Sequence, residues 1–77
     1  MINWKEHIVS DPQIMYGKPV VKGTRVPVEM ILEKLSLGES TEEILLAYPH
    51  ITREAILACI AYALDSVKNE IIYANAR

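Results

Sequence analysis

The last third of the chain most strongly constrains the fold. Residues 52–77 contain neither glycine nor proline, the two residues that most often interrupt a helix. Within this segment, residues 55–64 have the sequence AILACIAYAL, an unbroken apolar run. A helix that is apolar on every side is a buried helix. We therefore expect one long C-terminal helix, about residues 52–75. The chain's own helices should pack on one side of it, and a second subunit or a different protein should cover the other.

A single apolar stripe is expected along this helix. Its members recur at spacings of four, four, three and four residues: Ile56, Ile60, Leu64, Val67 and Ile71. Cys59 lies in the most apolar part of the segment, so we expect it to be a small core residue. It is the only cysteine, so no internal disulfide is expected.

A shorter helix is predicted at about residues 27–37. Pro27 suits the first position of a helix, where its missing N–H costs nothing. The residues after it place one apolar stripe on one face: Val28, Ile31, Leu32 and Leu35. Gly38 is expected to end this helix in a left-handed conformation.

The next segment has the signals of a helix, a tight turn and a second helix. Ser40 and Glu43 have the spacing of a capping box, which predicts a helix at about residues 41–47. Pro49 ends it, because the residue before a proline avoids helical backbone angles. Thr52 is then expected to cap the long C-terminal helix.

The N-terminal part predicts a small β-hairpin at about residues 7–26. The segments HIVSD and PVVKGTRV are rich in β-branched residues and are separated by turn signals. The loop from Asp11 to Lys18 is too long for a two-residue turn, so pairing across a dimer is an alternative. Together the signals predict a mainly α fold. It is one domain, residues 1–77, with a short β-hairpin and then a three-helix helix–turn–helix of homeodomain-like or winged-helix-like type.

Composition limits the class of protein. The chain has 77 residues, of which 51% are hydrophobic, and a net charge of −2. Such a short chain buries a smaller fraction of its surface than a larger domain does, and its surplus apolar surface favours a homodimer. The N-terminal MINWKEHIVSD lacks the apolar centre of a signal peptide, and no run approaches a membrane span. We expect a cytoplasmic protein with no membrane association.

Basic residues concentrate in the segment YGKPVVKGTRVPVEM, residues 16–30. Its glycines do not match a phosphate-binding loop, because five residues separate Gly17 from Gly23 and Thr24 stands where a lysine is needed. The segment is better explained as a hairpin exit and helix entry. Arg25 is the residue to single out, since its planar guanidinium can bind a phosphate or carboxylate through two hydrogen bonds.

Two functions are compatible with this organisation. In a helix–turn–helix, the second helix enters the DNA major groove by its N-terminal end. The candidate DNA-binding residues are Lys22, Thr24, Arg25, His50, Thr52 and Arg53. However, residues 29–43 hold five glutamates against one lysine, which suits a basic protein partner at least as well. The alternative is a protein-interaction and dimerisation module with no DNA binding of its own.

No catalytic chemistry is expected. His7, His50 and Cys59 are scattered along the chain and lack the ligand spacing of a zinc site. A catalytic cysteine has to be accessible, whereas Cys59 lies in the most apolar stretch. The sequence therefore predicts no enzyme activity, no metal, no cofactor and no small-molecule substrate.

The C-terminal segment NEIIYANAR is expected to contact a partner protein or to pack on its own dimer, because little chain remains to bury its apolar residues. The candidate partner-binding residues are Arg25, Ile71, Ile72, Tyr73 and Arg77. The two arginines are included because a guanidinium suits carboxylate groups of a partner.

Residues 17–63 resemble the small bacterial family of unknown function numbered 433. The resemblance rests on three elements of this sequence: Gly17-Lys18-Pro19, Gly23-Thr24-Arg25 and Tyr48-Pro49. That family is similar to the DNA-binding antitoxins of the VapB type. The resemblance implies an antitoxin that binds and silences a PIN-like nuclease toxin and represses its own operon by binding promoter DNA. Such a complex would set Arg25 or Arg77 against the metal-binding carboxylates of the nuclease.

Overall fold

The structure is a computed structural model that describes the backbone of residues 2–74 and the side chains of residues 2–69. It has two strands, three helices and two short 3-10 turns, at Trp4–Glu6 and Met15–Gly17. Strands β1 (Ile8–Ser10) and β2 (Pro19–Val21) precede helices α1 (Val28–Ser36), α2 (Thr41–Ala47) and α3 (Arg53–Ala74). This architecture is the expected one: a small hairpin followed by three helices.

The two strands pair within one chain. Their antiparallel register sets Ile8 against Val21 and Ser10 against Pro19. The backbone makes a tight reversal after Val21. The Val21 N–H donates to the Val26 carbonyl at 2.9 Å across this turn. Gly23 makes this reversal at a φ of +81°, a conformation that glycine adopts without steric cost. Intrachain pairing thus leaves no need for the alternative of pairing across a dimer.

Helix α1 begins one residue later than its sequence suggests. Pro27 is the N-cap, with extended backbone angles, and its carbonyl accepts the N–H of Met30 at 3.1 Å. At the other end, Gly38 has a φ of +89° and the N–H of Glu39 donates back to the carbonyl of Lys34. These bonds satisfy the last carbonyls of the helix and confirm Gly38 as its left-handed terminator.

Helices α2 and α3 begin at the predicted caps. The Ser40 hydroxyl accepts the Glu43 N–H at 3.1 Å, and the Glu43 carboxylate accepts the Ser40 N–H at 2.8 Å. This reciprocal pair is the capping box. At the start of α3, the Thr52 hydroxyl accepts the N–H of Ala55 at 3.0 Å, so Thr52 is the expected cap.

The core lies where α3 meets the hairpin and the two shorter helices. The buried apolar residues are Ile8, Val20, Val21, Val28, Ile31, Ile44, Ile51, Ala55, Ile56, Ala58 and Cys59. Helix α3 is therefore central, as its composition predicts. None of the helices described within residues 2–74 is long and apolar enough to cross a membrane.

The predicted single stripe on α3 is wrong in one respect. Ile56 is 2% exposed, whereas Ile60, Leu64 and Val67 are 45%, 42% and 52% exposed. The core instead takes Ala55, Ala58 and Cys59 from the opposite side of the helix. The reason is that residues 55–64 are apolar on every side, so spacing alone does not choose which side faces inward.

The N-terminal turn is fastened to the second half of α3. The Trp4 indole N–H donates to the Asp65 carboxylate, with Nε1 and Oδ2 2.6 Å apart. The Trp4 ring also meets the Tyr62 ring edge to face, with centroids 4.9 Å apart. These contacts cover one side of the helix beyond the core and leave the side of Ile60 and Leu64 open.

Candidate functional site

The turn at residues 22–25 is built to hold Arg25 outward. The Thr24 hydroxyl donates to the Val21 carbonyl at 2.8 Å and accepts the Val26 N–H at 3.0 Å. Both hydrogen-bonding roles of this hydroxyl are thus used inside the turn. Thr24 therefore supports the turn, and the adjacent Arg25 is the exposed side chain that the turn presents.

An open groove of about 760 Å³ lies beside this turn. One wall comes from residues 23–26, and the other from residues 47–51, where α2 ends and α3 is about to begin. Its lining is mainly apolar and includes Val9, Ile14 and Tyr48, with Arg25 and His50 as the basic side chains. Arg25 makes no ion pair with any described side chain. The groove therefore offers an apolar surface next to an available guanidinium.

A second, smaller depression of about 390 Å³ adjoins the groove through His50. Lys22 and Thr52 line it, and so does Glu54 from the first turn of α3. Five of the six predicted DNA-binding residues therefore surround two neighbouring depressions. Lys22, His50 and Thr52 are exposed, as a contact with a large ligand requires.

Arg53, the sixth predicted DNA-binding residue, has a partner in its own chain. Its Nη2 donates to Oε1 of Glu42 at 3.2 Å, which joins the first turns of α2 and α3. The pKa of Glu42 lies below its ordinary value, first because its own backbone N–H bonds the carboxylate and then because Arg53 does. Any contact of Arg53 with a ligand has to replace this exposed ion pair.

The sequence did not single out Tyr16, which the structure places beside Arg25. Both residues line a third depression, of about 420 Å³. Tyr16 is 99% exposed and has a φ of +58°, a left-handed conformation that side chains rarely adopt. Tyrosine and arginine are the residue types most enriched at the energetic centres of protein interfaces. No local pattern foretells this exposure, because it depends on the left-handed run of residues 15–17.

The C-terminal candidates lie outside the described side chains: Ile71, Ile72, Tyr73 and Arg77. Cys59 is fully buried, and burial raises the pKa of its thiol to about 11, so it holds its proton at neutral pH. Among the side chains that the structure describes, no group of three His, Cys, Asp or Glu residues converges as a metal site would require.

Comparison with known proteins identifies the family. The family profile described as "Protein of unknown function (DUF433)" matches residues 8–63, most of the chain. This chain is a member of the DUF433 family. The matched span includes the hairpin, all of α1 and α2, and the first half of α3. It therefore contains both turns that form the groove beside Arg25.

Two uncharacterized proteins are similar in sequence to this DUF433 member. The uncharacterized protein y4eO of Sinorhizobium fredii (strain NBRC 101917 / NGR234) is 41% identical over 59 residues, which are 77% of this chain and 27% of that protein. An uncharacterized protein of Archaeoglobus fulgidus is 58% identical over 24 residues, 31% of this chain and 67% of its own length. The chain thus spans about a quarter of the Sinorhizobium relative.

A solved structure has the same fold. The crystal structure of a DUF433 member from Anabaena variabilis ATCC 29413 superimposes with a TM-score of 0.71 at 26% sequence identity. The superposition covers 91% of this chain and 68% of the Anabaena chain. The hairpin and three helices described above are therefore found in an experimentally determined DUF433 structure.

Proposed function

We propose that this DUF433 protein is the antitoxin of a toxin–antitoxin pair. It is a small homodimer of VapB-like type that binds and silences a PIN-like nuclease and binds its own promoter DNA. The observation that carries the proposal is the groove beside Arg25. An uncommitted guanidinium stands there next to an apolar wall and an exposed tyrosine.

The groove suits a protein partner that presents acidic groups. Arg25 can bind a carboxylate through two parallel hydrogen bonds, which is stronger and more specific than a single contact. The neighbouring apolar lining, including Val9 and Ile14, adds burial of apolar surface. A nuclease that holds its metal ions with carboxylates presents such acidic groups at its active site. Arg25 inserted there would compete with the metal ions and block the substrate.

A second surface supports DNA binding. Lys22, His50 and Thr52 surround the exposed N-terminus of α3, the part of a helix–turn–helix that enters the major groove. Lys22 supplies a charge for a phosphate, and the Thr52 side chain can bond a phosphate or a base edge. The glutamates at the first turn of α2 weaken phosphate binding, so the contact falls on Lys22, His50 and Thr52.

The first experiment measures binding and inhibition of the nuclease partner. The full chain is coexpressed with the product of the neighbouring gene, and their affinity and the residual nuclease activity are measured. Arg25→Ala should weaken binding by at least tenfold, because it removes a bidentate contact, while Arg25→Lys should be intermediate. Lys5→Ala removes the same charge away from the groove and should leave the affinity unchanged. An Arg25→Ala protein that inhibits as tightly as the wild type would rule out this use of the groove.

The second experiment measures DNA binding and needs no nuclease. Gel-shift titrations use the DNA upstream of the coding sequence at several salt concentrations. Lys22→Ala should lower the affinity and reduce the salt slope by about one. Lys18→Ala is the matched control, since Lys18 already pairs with Glu29 at 2.7 Å. Equal salt slopes for the wild type and Lys22→Ala would contradict the DNA surface and leave the nuclease result untouched.

A further inference from the structure

The open side of α3 has the spacing of a coiled-coil seam. Four large apolar side chains on it are 42–52% exposed: Leu57, Ile60, Leu64 and Val67. Their spacings are three, four and three residues, the a and d positions of a heptad repeat. The residues that form the core or pack against it, such as Ala58, Cys59 and Tyr62, occupy the opposite side of the helix. This pattern fits another helix better than it fits a flat surface.

We propose that a second copy of this chain covers the seam, with the two α3 helices antiparallel about a twofold axis near residue 62. In this register Leu57 faces Val67 of the partner subunit and Ile60 faces Leu64 of the partner subunit. All four exposed seam residues then find a partner, because the spacing is the same in both chain directions. A twofold interface has to be self-complementary in this way.

The charges beside the seam match this register. Glu54 and Lys68 are both exposed, and both occupy the e position of the heptad, at the same edge of the seam. Neither forms an ion pair among the described side chains. Antiparallel pairing sets Glu54 of each protomer beside Lys68 of the partner subunit, offset by about 3 Å along the axis. Between these two pairs lies Ala61, and Ala63 lies at the opposite edge of the seam. Their small side chains let the helices approach closely.

Dimer formation also changes the charge of the proposed DNA-binding surface. Glu54 lines the same depression as Lys22, His50 and Thr52, where its charge repels a phosphate. A lysine from the partner subunit beside Glu54 offsets that charge. Dimer formation therefore makes the α3 N-terminus more favourable for DNA. This inference deepens the proposed function, but its test requires neither DNA nor nuclease.

The test of the seam is the mass of the protein in solution. Light scattering and sedimentation should show a dimer for the wild type and a monomer for Leu64→Glu and for Val67→Lys, both with unchanged circular dichroism. Leu46→Glu is the matched control, since Leu46 is 83% exposed on α2 and should leave the dimer intact. A monomeric wild type, or a Leu64→Glu protein that is folded and still dimeric, overturns the proposal. If the wild type is monomeric and the seam variants lose nuclease binding, the seam binds the nuclease and not a second copy of this chain.

The orientation is tested by charge reversal. Glu54→Lys or Lys68→Glu alone turns both interchain ion pairs of the dimer into pairs of like charge. Each variant should raise the dimer Kd about three- to tenfold at low salt. The double variant restores both pairs and should return to within about twofold of the wild type. In a parallel dimer Glu54 and Lys68 lie far apart, so the double variant would show no rescue. That result would overturn the antiparallel register.

Discussion

Tyr16 combines a strained backbone with a fully exposed side chain. Its left-handed backbone costs about 1–2 kcal/mol relative to an ordinary conformation, and its ring is 99% exposed. The fold therefore gains nothing from the ring and bears the strain of holding it. Gly17 follows with a φ of +83°, and an added Cβ there would meet the Pro12 Cα at 3.9 Å. The three-residue run 15–17 thus displays Tyr16 beside Arg25 from a tight turn.

Replacing Tyr16 should separate stability from binding. Tyr16→Gly relieves the left-handed strain, so the free energy of unfolding should rise by about 0.5–1 kcal/mol. Tyr16→Ala removes the ring but keeps the strain, so its unfolding free energy should stay near that of the wild type. Both variants should bind the proposed nuclease partner more weakly. Urea unfolding measures the first quantity, and titration with the partner measures the second.

Two outcomes would contradict this account of Tyr16. A Tyr16→Gly protein that is less stable than the wild type would mean that the tyrosine ring contributes to the fold. Unchanged partner affinity in both variants would mean that the ring lies outside the interface, even if Arg25 lies inside it.

At the scale of elements, the capping box gives α2 a dependence on pH. The backbone N–H of Ser40, and then its hydroxyl, lower the pKa of Glu43 below its ordinary value. A carboxyl whose pKa is lower in the folded state stabilises the fold above the unfolded pKa. That stability is lost as the pH falls through the folded pKa. The ionised Glu43 therefore supports the start of α2 at neutral pH and ceases to do so in acid.

Glu43→Gln should flatten the acid limb of stability. The amide oxygen can still accept the Ser40 N–H but has no charge to lose. The melting temperature of the variant should therefore fall less than that of the wild type when the pH is lowered from about 5 to about 3. Glu33→Gln is the control on α1, because Glu33 forms no ion pair among the described side chains. Parallel pH curves for the wild type and Glu43→Gln would show that the capping carboxylate contributes nothing.

The same elements show which features a sequence can foretell. The ends of α1 and α2 were predictable from Gly38 and Ser40, because each end is decided by residues within one turn of the chain. The inward side of α3 was not, because a helix apolar on every side has no preferred direction until other elements pack on it. The groove beside Arg25 was also not predictable from the sequence. It exists only because the turn at residues 22–25 meets residues 47–51, more than twenty positions away.

At the scale of the whole molecule, contacts distant in sequence leave one side of α3 without cover. The hairpin, α1 and α2 bury Ala55, Ile56, Ala58 and Cys59. Trp4 packs over Tyr62 and bonds Asp65. What remains open is the seam of Leu57, Ile60, Leu64 and Val67. The chain is short, so the burial of this seam adds a large share to a small total stability. Folding and association should therefore be coupled.

That coupling predicts a melting temperature that depends on protein concentration. When a folded dimer unfolds to two chains, a tenfold higher concentration stabilises the dimer by about 1.4 kcal/mol, shared between two chains. For domains of this size the melting temperature should then rise by about 4–5 °C per tenfold concentration. Leu64→Glu should melt lower, at a temperature independent of concentration, because its folded state is a single chain. Leu46→Glu should keep the wild-type dependence, since its side chain lies off the seam. A wild-type melting temperature that stays constant between about 5 and 500 μM would show that α3 is stable with its seam in water, because an unfolding dimer cannot escape mass action.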